Sequence, residues 1–329
     1  MNEIIKQEDH QLENMSFKEL SSKVNDFWWR ISNLYYIVSD EGKRFSFSPN
    51  ETQEELLKNL WYMNLILKSR QHGITTVMCL LFLDKCLFSS SQHPQKAQVI
   101  AHTRDKATEI FQSKILYPYL NLPQTLLDYF RDTQKQKTES SMRFGHNESY
   151  YSVSISARSE TPTLLHITEL GKICKESPGK AEEILTGSLP AMHTEYKNAI
   201  VGIESTAEGP TGDFHRLSVK GEQKAAQVRA GQRILSAKEF RYHFFAWWQR
   251  QSAQLHEPVL IPARLVEYFD KLEAKLQITL SLAQRAWYTV EEENLGTKMK
   301  RENPSTPQEA FEQSIEGAYF ERQITRAYH

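Results

Sequence analysis

The chain has 329 residues, of which 40% are apolar and 25% charged; this excludes a disordered or fibrous protein and leaves room for about two domains. Forty Lys and Arg against forty-one Asp and Glu exclude a uniform basic field that coats nucleic acid permanently, while a local contact stays open. Cys79, Cys86 and Cys174 show neither zinc nor disulfide spacing, the opening MNEIIKQEDHQLEN lacks a signal-peptide core, and Asp84 and Lys85 break the longest apolar run, so a cytosolic protein without a membrane span is expected.

In chain order, residues 1–44, with FKELSSKVNDFWWRISNLYYI, read as a helical segment, expected to pack on a second helical unit further along. Trp28, Trp29, Tyr35 and Tyr36 fall at helical spacing, which favours core packing over a base-stacking platform. Residues 45–249 hold short runs of strand formers: MNLIL (63–67), AQVIA (97–101), YYSVSI (150–155), TLLHIT (163–168), NAIVGIE (198–204) and FRYHFFAWW (240–248). Helical patterns separate most of them, so the expectation is an α/β fold with a mainly parallel sheet covered on both faces. Trp247 and Trp248 read as a half-buried strand end, and Arg216, Lys220, Lys224, Arg229, Arg233, Lys238 and Arg241, interrupted by Glu222 and Glu239, as a solvated face. Residues 250–301 keep helical spacing without strand signals and form a small helical subdomain. Residues 302–329 read as a connector with an N-cap at Thr306.

Three segments carry chemistry. In LILKSRQHGITTVMCLL a strand runs into a tight turn and a helix, the order a phosphate-binding loop needs. Gly73 allows close approach and Thr75 or Thr76 offers a hydroxyl to Mg²⁺, but Ile74 stands where such loops carry lysine. Lys68 and Arg70, earlier in the loop, can reach the same phosphates; taken alone, the segment better suits a polar strand-to-helix turn before a buried helix. TLLHITELG places Glu169 where a carboxylate polarises an attacking water, and Thr168 where an aspartate usually holds Mg²⁺ through water. GIESTAEGPTGDF ends another strand in Ser205 and Thr206, hydroxyls able to sense a γ-phosphate. Three such motifs in order, each at a strand's carboxyl end, are more specific than any one alone.

FSPNETQEELL, LKSRQHGITT, IAHTRDKATEIF, ARSETPTLLHITELGKI and ESTAEG, followed by FFAWW, LAQRAWY and PSTPQEAFEQSIEGAYF, together resemble the ATPase half of the large terminase subunit of tailed bacteriophages, from about Phe45 onward. The resemblance implies a P-loop ATPase of the RecA-like (ASCE) type with a helical lid at 250–301, working with ATP and Mg²⁺. It implies an ATP site formed by Gln53 on the adenine side and by Lys68, Ser69, Arg70, Gln71, His72, Gly73, Ile74, Thr75 and Thr76. In this family an arginine near the loop's start with no lysine in the usual slot is an active form, so Arg70 is expected to act with Glu169 in catalysis. Thr75, Thr76 and Thr168 would hold Mg²⁺, partly through water, and Ser205 and Thr206 would couple cleavage to movement. Arg158 resembles a finger acting in a neighbouring subunit's site, with a surface loop arginine as the competing reading. The implied partners are double-stranded DNA, portal protein, small terminase subunit and further copies in a ring, in the bacterial host's cytoplasm. Large terminases continue into a nuclease where this chain stops at His329, so no nuclease activity is expected of it. A truncated prophage remnant that folds without packaging is the alternative; a superfamily 2 helicase would need a second RecA-like domain.

Overall fold

The computed structural model describes residues 15, 17–39, 42–131, 134–156, 161–190, 192 and 199–312. Helices α1 (Phe17–Lys23) and α2 (Phe27–Asn33) come first, with Asp26 capping α2 by accepting from the Trp28 amide at 2.8 Å. Helical spacing does not continue to residue 44 as expected. Tyr36–Val38 is instead strand β1, paired antiparallel with β2 (Arg44–Ser46). Three consecutive aromatic or β-branched residues are too short a run to display a period, so their strand preference was hidden.

Helix α3 (Glu51–Lys58) begins with a capping box between Asn50 and Gln53 and leads to β3 (Met63–Lys68) and α4 (Ile74–Phe88). After β4 (Lys96–Ile100), α5 (Arg104–Phe111) runs into a π-helical turn at Gln112–Leu116, and α6 (Gln124–Arg131) follows. Strands β5 (Gln134–Lys137) and β6 (Ser141–Phe144) were not expected; the polar QKQK of β5 carries no apolar alternation to betray it. The remaining strands are β7 (Tyr150–Ser154), β8 (Leu164–Thr168), β9 (Ile200–Ser205) and β10 (Phe240–Phe245). All lie in one sheet of order β10-β3-β9-β8-β4-β7-β6-β5, parallel from β10 to β7 and antiparallel beyond. This is the mainly parallel α/β sheet expected, and it inserts β9 between β3 and β8.

Each face of the sheet has its own core. On one, Ile66, Val99, Tyr151 and Leu164 pack against Val77, Met78 and Leu81 of α4. On the other, Leu65, Leu67, Ile167 and Ile203 pack against Leu170 and Ile173 of α7 (Leu170–Glu176) and Phe214 of α9 (Gly212–Arg229), with α8 (Pro178–Glu183) alongside. Helix α4 is apolar over most of its surface, as a buried helix must be, but it also buries the charge of Asp84. That buried carboxylate takes a bidentate pair from Arg30 (2.8 and 2.7 Å) and the Tyr35 hydroxyl (2.9 Å). A buried charge needs such a partner, and supplying it docks the N-terminal residues on α4 rather than on the helical unit, where they were expected. Of the aromatic group, Tyr35 and Tyr36 are buried while Trp28 is exposed.

Helices α10 (Ala263–Leu276) and α11 (Leu282–Leu295) enclose a separate small core of Trp247, Leu265, Phe269, Leu272 and Tyr288. Trp247 is no half-buried strand end: it lies fully buried in a 3-10 turn, Trp247–Gln249, with its indole N–H donating to Ser305 Oγ at 2.8 Å. Thr306 does cap a short helix, Pro307–Ala310, and Ala310 and Phe311 reach the second sheet core. Among the described residues, no helix is long and apolar enough to cross a membrane.

Candidate active site

The carboxyl ends of β3, β9 and β8 meet beneath the start of α4, where open α/β sheets bind ligands. Gly73 begins α4 in the left-handed region (φ 68), and a Cβ there would lie 2.4 Å from Gln53 Nε2, so glycine is required twice over. Gln53 donates to Gly73 O at 3.0 Å and accepts the Asn50 amide at 3.0 Å. It is 4% exposed and braces the loop from behind. The first i→i−4 bond of α4 is Val77 N to Gly73 O at 3.0 Å, and no side chain caps the helix. The amides ahead of Val77 therefore lack intrahelical acceptors, and a fifteen-residue helix turns its positive end to the loop.

Within the loop, the Ser69 amide donates to Phe245 O at 2.9 Å, Ser69 Oγ lies 2.8 Å from His72 Nε2, and His72 Nδ1 lies 3.3 Å from Thr52 Oγ1. Burial first, then the Lys68 and Arg250 cations, push the His72 imidazole down to about 3. The ring is therefore neutral near pH 7 and acts as a strut. Ile74, in the slot of the missing lysine, is buried in the core.

Lys68 enters an acidic centre, with Nζ 3.3 Å from Glu204 Oε2 and 3.6 Å from Glu169 Oε1. Burial works to lower its pKa, but Glu204 and then Glu169 raise it above the usual lysine value, so the ammonium persists. Thr75 Oγ1 donates to Glu204 Oε1, and Thr168 Oγ1 donates to the same oxygen at 3.0 Å. His166 Nε2 is 3.4 Å from that oxygen, off the line of a hydrogen bond. Burial favours the neutral Glu204 carboxyl, yet Lys68 foremost, with His166 and Thr75, outweighs it and holds the group well below the usual carboxylate range. Thr75 reaches β9 because Gly202 lets α4 approach: a Cβ at Gly202 would lie 2.5 Å from Met78 Cε. Glu169, left-handed at φ 55, precedes α7 and sets Oε2 3.4 Å from Lys172 Nζ.

The remaining predicted residues divide. Thr76 accepts from Lys114 Nζ at 3.0 Å and faces the π-helical turn, so of the two hydroxyl alternatives Thr75 is the one brought to the centre. Arg70 turns outward: its Nε lies 2.6 Å from Glu302 Oε2, its amide donates to Glu302 O at 3.0 Å, and its carbonyl accepts Arg250 Nη1 at 2.8 Å. Arg250 also reaches Gln71 Oε1 at 3.2 Å and stacks 4.7 Å over Trp287, joining the loop to the helical unit. Ser205 Oγ accepts the Gly171 amide at 3.0 Å, tying the end of β9 to α7 two residues after Glu169, and Thr206 is buried beside it. Arg158 lies outside the described residues. On the presumed solvated face, Arg216 pairs with Asp213, Lys224 and Arg233 pair with Glu239, and Arg241 donates to Asn59 O at 2.9 Å.

Glu204 is the central side chain of this cluster that the sequence reading does not single out. Its signal is a lone acid near the end of an otherwise largely apolar run, NAIVGIE, which by its pattern announces only a strand. Glu302 and Lys114 gave no signal, because distant segments bring them to the loop. Among the described residues, no three His, Cys, Asp or Glu gather into a set that could hold a metal. A cation here would share its shell with hydroxyls, water and ligand oxygens, the arrangement Mg²⁺ favours.

No protein-family profile and no curated protein sequence matches the chain. Among solved structures, the large terminase of bacteriophage HK97 is similar over 87% of this chain and 55% of its own, at 13% identity and a TM-score of 0.53. The large terminase ATPase domain of Thermus phage P74-26 is similar over 79% of this chain and 94% of its own, also at 13% identity, with a TM-score of 0.48. The likeness to the HK97 protein establishes a shared fold.

Proposed function

We propose that this chain hydrolyses ATP with Mg²⁺ to drive double-stranded phage DNA into a procapsid, as the ATPase unit of a terminase-type motor. One observation carries the reading: Lys68, Thr75, Thr168 and Glu169 converge at adjoining strand ends under the open amino terminus of a long helix. The fold shared with the HK97 large terminase supports it.

In this reading the loop at 68–76 holds the triphosphate through the free amides of α4 and through Lys68. The Thr75 and Thr168 hydroxyls would hold Mg²⁺, which when bound would offset charge on the phosphate oxygens. Glu169 accepts the proton of the attacking water, and Arg70 supplies a further cation from the loop's outer side. Gln53 fixes the adenine side of the loop. Ser205 and Thr206, clamped to α7 through Gly171, transmit loss of the γ-phosphate. Units 45–249, 250–301 and 302–329 serve as core, lid and connector, and 1–44 reinforces the core. Arg158 completes a neighbour's site in a ring on the portal, with the small terminase subunit presenting DNA, in the host cytoplasm.

The test is phosphate release from Mg-ATP by the purified chain, with and without double-stranded DNA. Glu169→Gln should lower turnover by about 10²–10⁴-fold while a fluorescent ATP analogue still binds. Parental turnover in that variant removes Glu169 from catalysis. Mixing Arg158→Ala with Glu169→Gln should restore turnover; a dead mixture, under conditions where wild-type subunits assemble and hydrolyse, removes the role across the interface.

A further inference from the structure

Resting on the nucleotide reading, we propose that Glu204 supplies the metal-anchoring carboxylate that the end of β8 lacks, displaced by one strand onto β9. Thr168 and Glu204 are direct register partners on neighbouring parallel strands, so their side chains leave the same face of the sheet. The carboxylate absent from position 168 is thus restored beside it.

The hydrogen bonds give the displacement a chemical consequence. A hydroxyl coordinates a cation through a lone pair, so its proton must be accepted elsewhere. Thr75 and Thr168 both donate to Glu204 Oε1, which leaves the oxygens of both hydroxyls with lone pairs for a cation. Thr168 is spending its only proton on Glu204 and Thr75 spends its own there too, so neither hydroxyl orients the other. Glu204 orients both.

Its second oxygen is also unspent. Glu204 is fully buried; among the described residues its Oε2 accepts no hydrogen bond and has the Lys68 ammonium 3.3 Å away. Burying a carboxylate is costly unless a countercharge offsets it, and the Lys68 ammonium, between Glu204 and Glu169, provides one without closing the oxygen. A divalent cation arriving with phosphate can take over that countercharge, freeing Lys68 to face the phosphate.

Equilibrium titration of a fluorescent ATP analogue, in Mg²⁺ and in EDTA, tests this independently of turnover. The quantity read is the ratio of the two affinities. Glu204→Gln should reduce the wild-type ratio by roughly 10–100-fold, the usual effect of removing a metal's outer-shell partner. Adding Thr168→Asp to Glu204→Gln should recover much of it, by returning a carboxylate to β8. Glu204→Asp, which keeps the charge and so the pairing with Lys68 but withdraws the oxygens by one methylene, should lower the ratio in a folded protein. An unchanged ratio in folded Glu204→Gln or Glu204→Asp overturns the proposal, as does failure of both to fold, which would make Glu204 a purely structural partner of Lys68. A wild-type chain that binds the analogue in neither condition overturns the nucleotide reading itself, a separate result.

Discussion

Lys68 and Arg70 belong to one loop, yet the Lys68 side chain is 8% exposed between two carboxylates and that of Arg70 is 54% exposed against Glu302. The inner half of the loop is part of the sheet's polar core. The outer half is held by Arg250, at the start of the helical unit, and by Glu302, just after it. The difference teaches that a cation near a candidate site can have two unlike jobs: offsetting buried acids so that the site can exist, or standing at the rim where a ligand can recruit it. A charged pair is consequential in proportion to its desolvation, which is why the two halves should respond differently to substitution.

The sharpest way to break the comparison is Lys68→Met, which leaves Glu204 buried without its countercharge. Stability should fall by about 3–5 kcal/mol, seen as a lower denaturant midpoint at unchanged slope. A loss below ~1 kcal/mol would make the inner half as dispensable as a surface pair. A second inner-half effect follows from His72, whose pKa falls from 6.5 to about 3 through burial, Lys68 and Arg250. Between those values the unfolded chain binds a proton that the folded chain does not. The contribution is therefore complete above about pH 6.5 and declines as pH drops toward 3, with a limiting slope of roughly 1.4 kcal/mol per pH unit. The acid limb of a stability profile should be shallower in His72→Gln; identical limbs would remove the ring from the account.

Arg70→Ala should change stability by about 1 kcal/mol or less, because the Arg70 side chain is half exposed and screened and the buried Glu302 keeps Arg301 at 2.9 Å. Its expected effect is on turnover, with partial recovery in Arg70→Lys, which cannot reproduce a bidentate contact. Full turnover in the alanine variant would assign the loop's catalytic charge to Lys68. The smallest effect belongs to Arg216→Ala on α9, within about 0.5 kcal/mol and without change in DNA-stimulated turnover. A loss of DNA stimulation there would convert the solvated face into a grip.

Much of this was legible in the sequence where the cause is local. The six runs of strand formers became the six parallel strands, because mostly apolar runs suit strands covered on both faces, while β10 at the edge stays half-buried. Glycine at 73 announced a turn whose backbone admits little else, and Glu169 and Thr168 stand where the end of β8 places them. The β1–β2 hairpin and the β5–β6 extension were hidden because each is short or polar and is stabilised by its neighbours rather than by its own pattern.

The amino-acid order by itself determined the six parallel strands, the loop and the identity of the chemical groups, since those depend on propensity, periodicity and turn chemistry within a few residues. Tertiary structure alone decided which groups meet. Thr75 finds its acceptor 129 positions away at Glu204, Thr168 finds the same oxygen 36 positions away, and Arg70 is drawn to Glu302 across 232. The first two follow from the insertion of β9 between β3 and β8, which puts a fully buried carboxylate among hydroxyls and an ammonium, and the third from the return of the chain past the loop after the helical unit. A buried charge must be satisfied by whatever the fold brings within reach, and that reach is a property of three-dimensional packing rather than of any local stretch of chain.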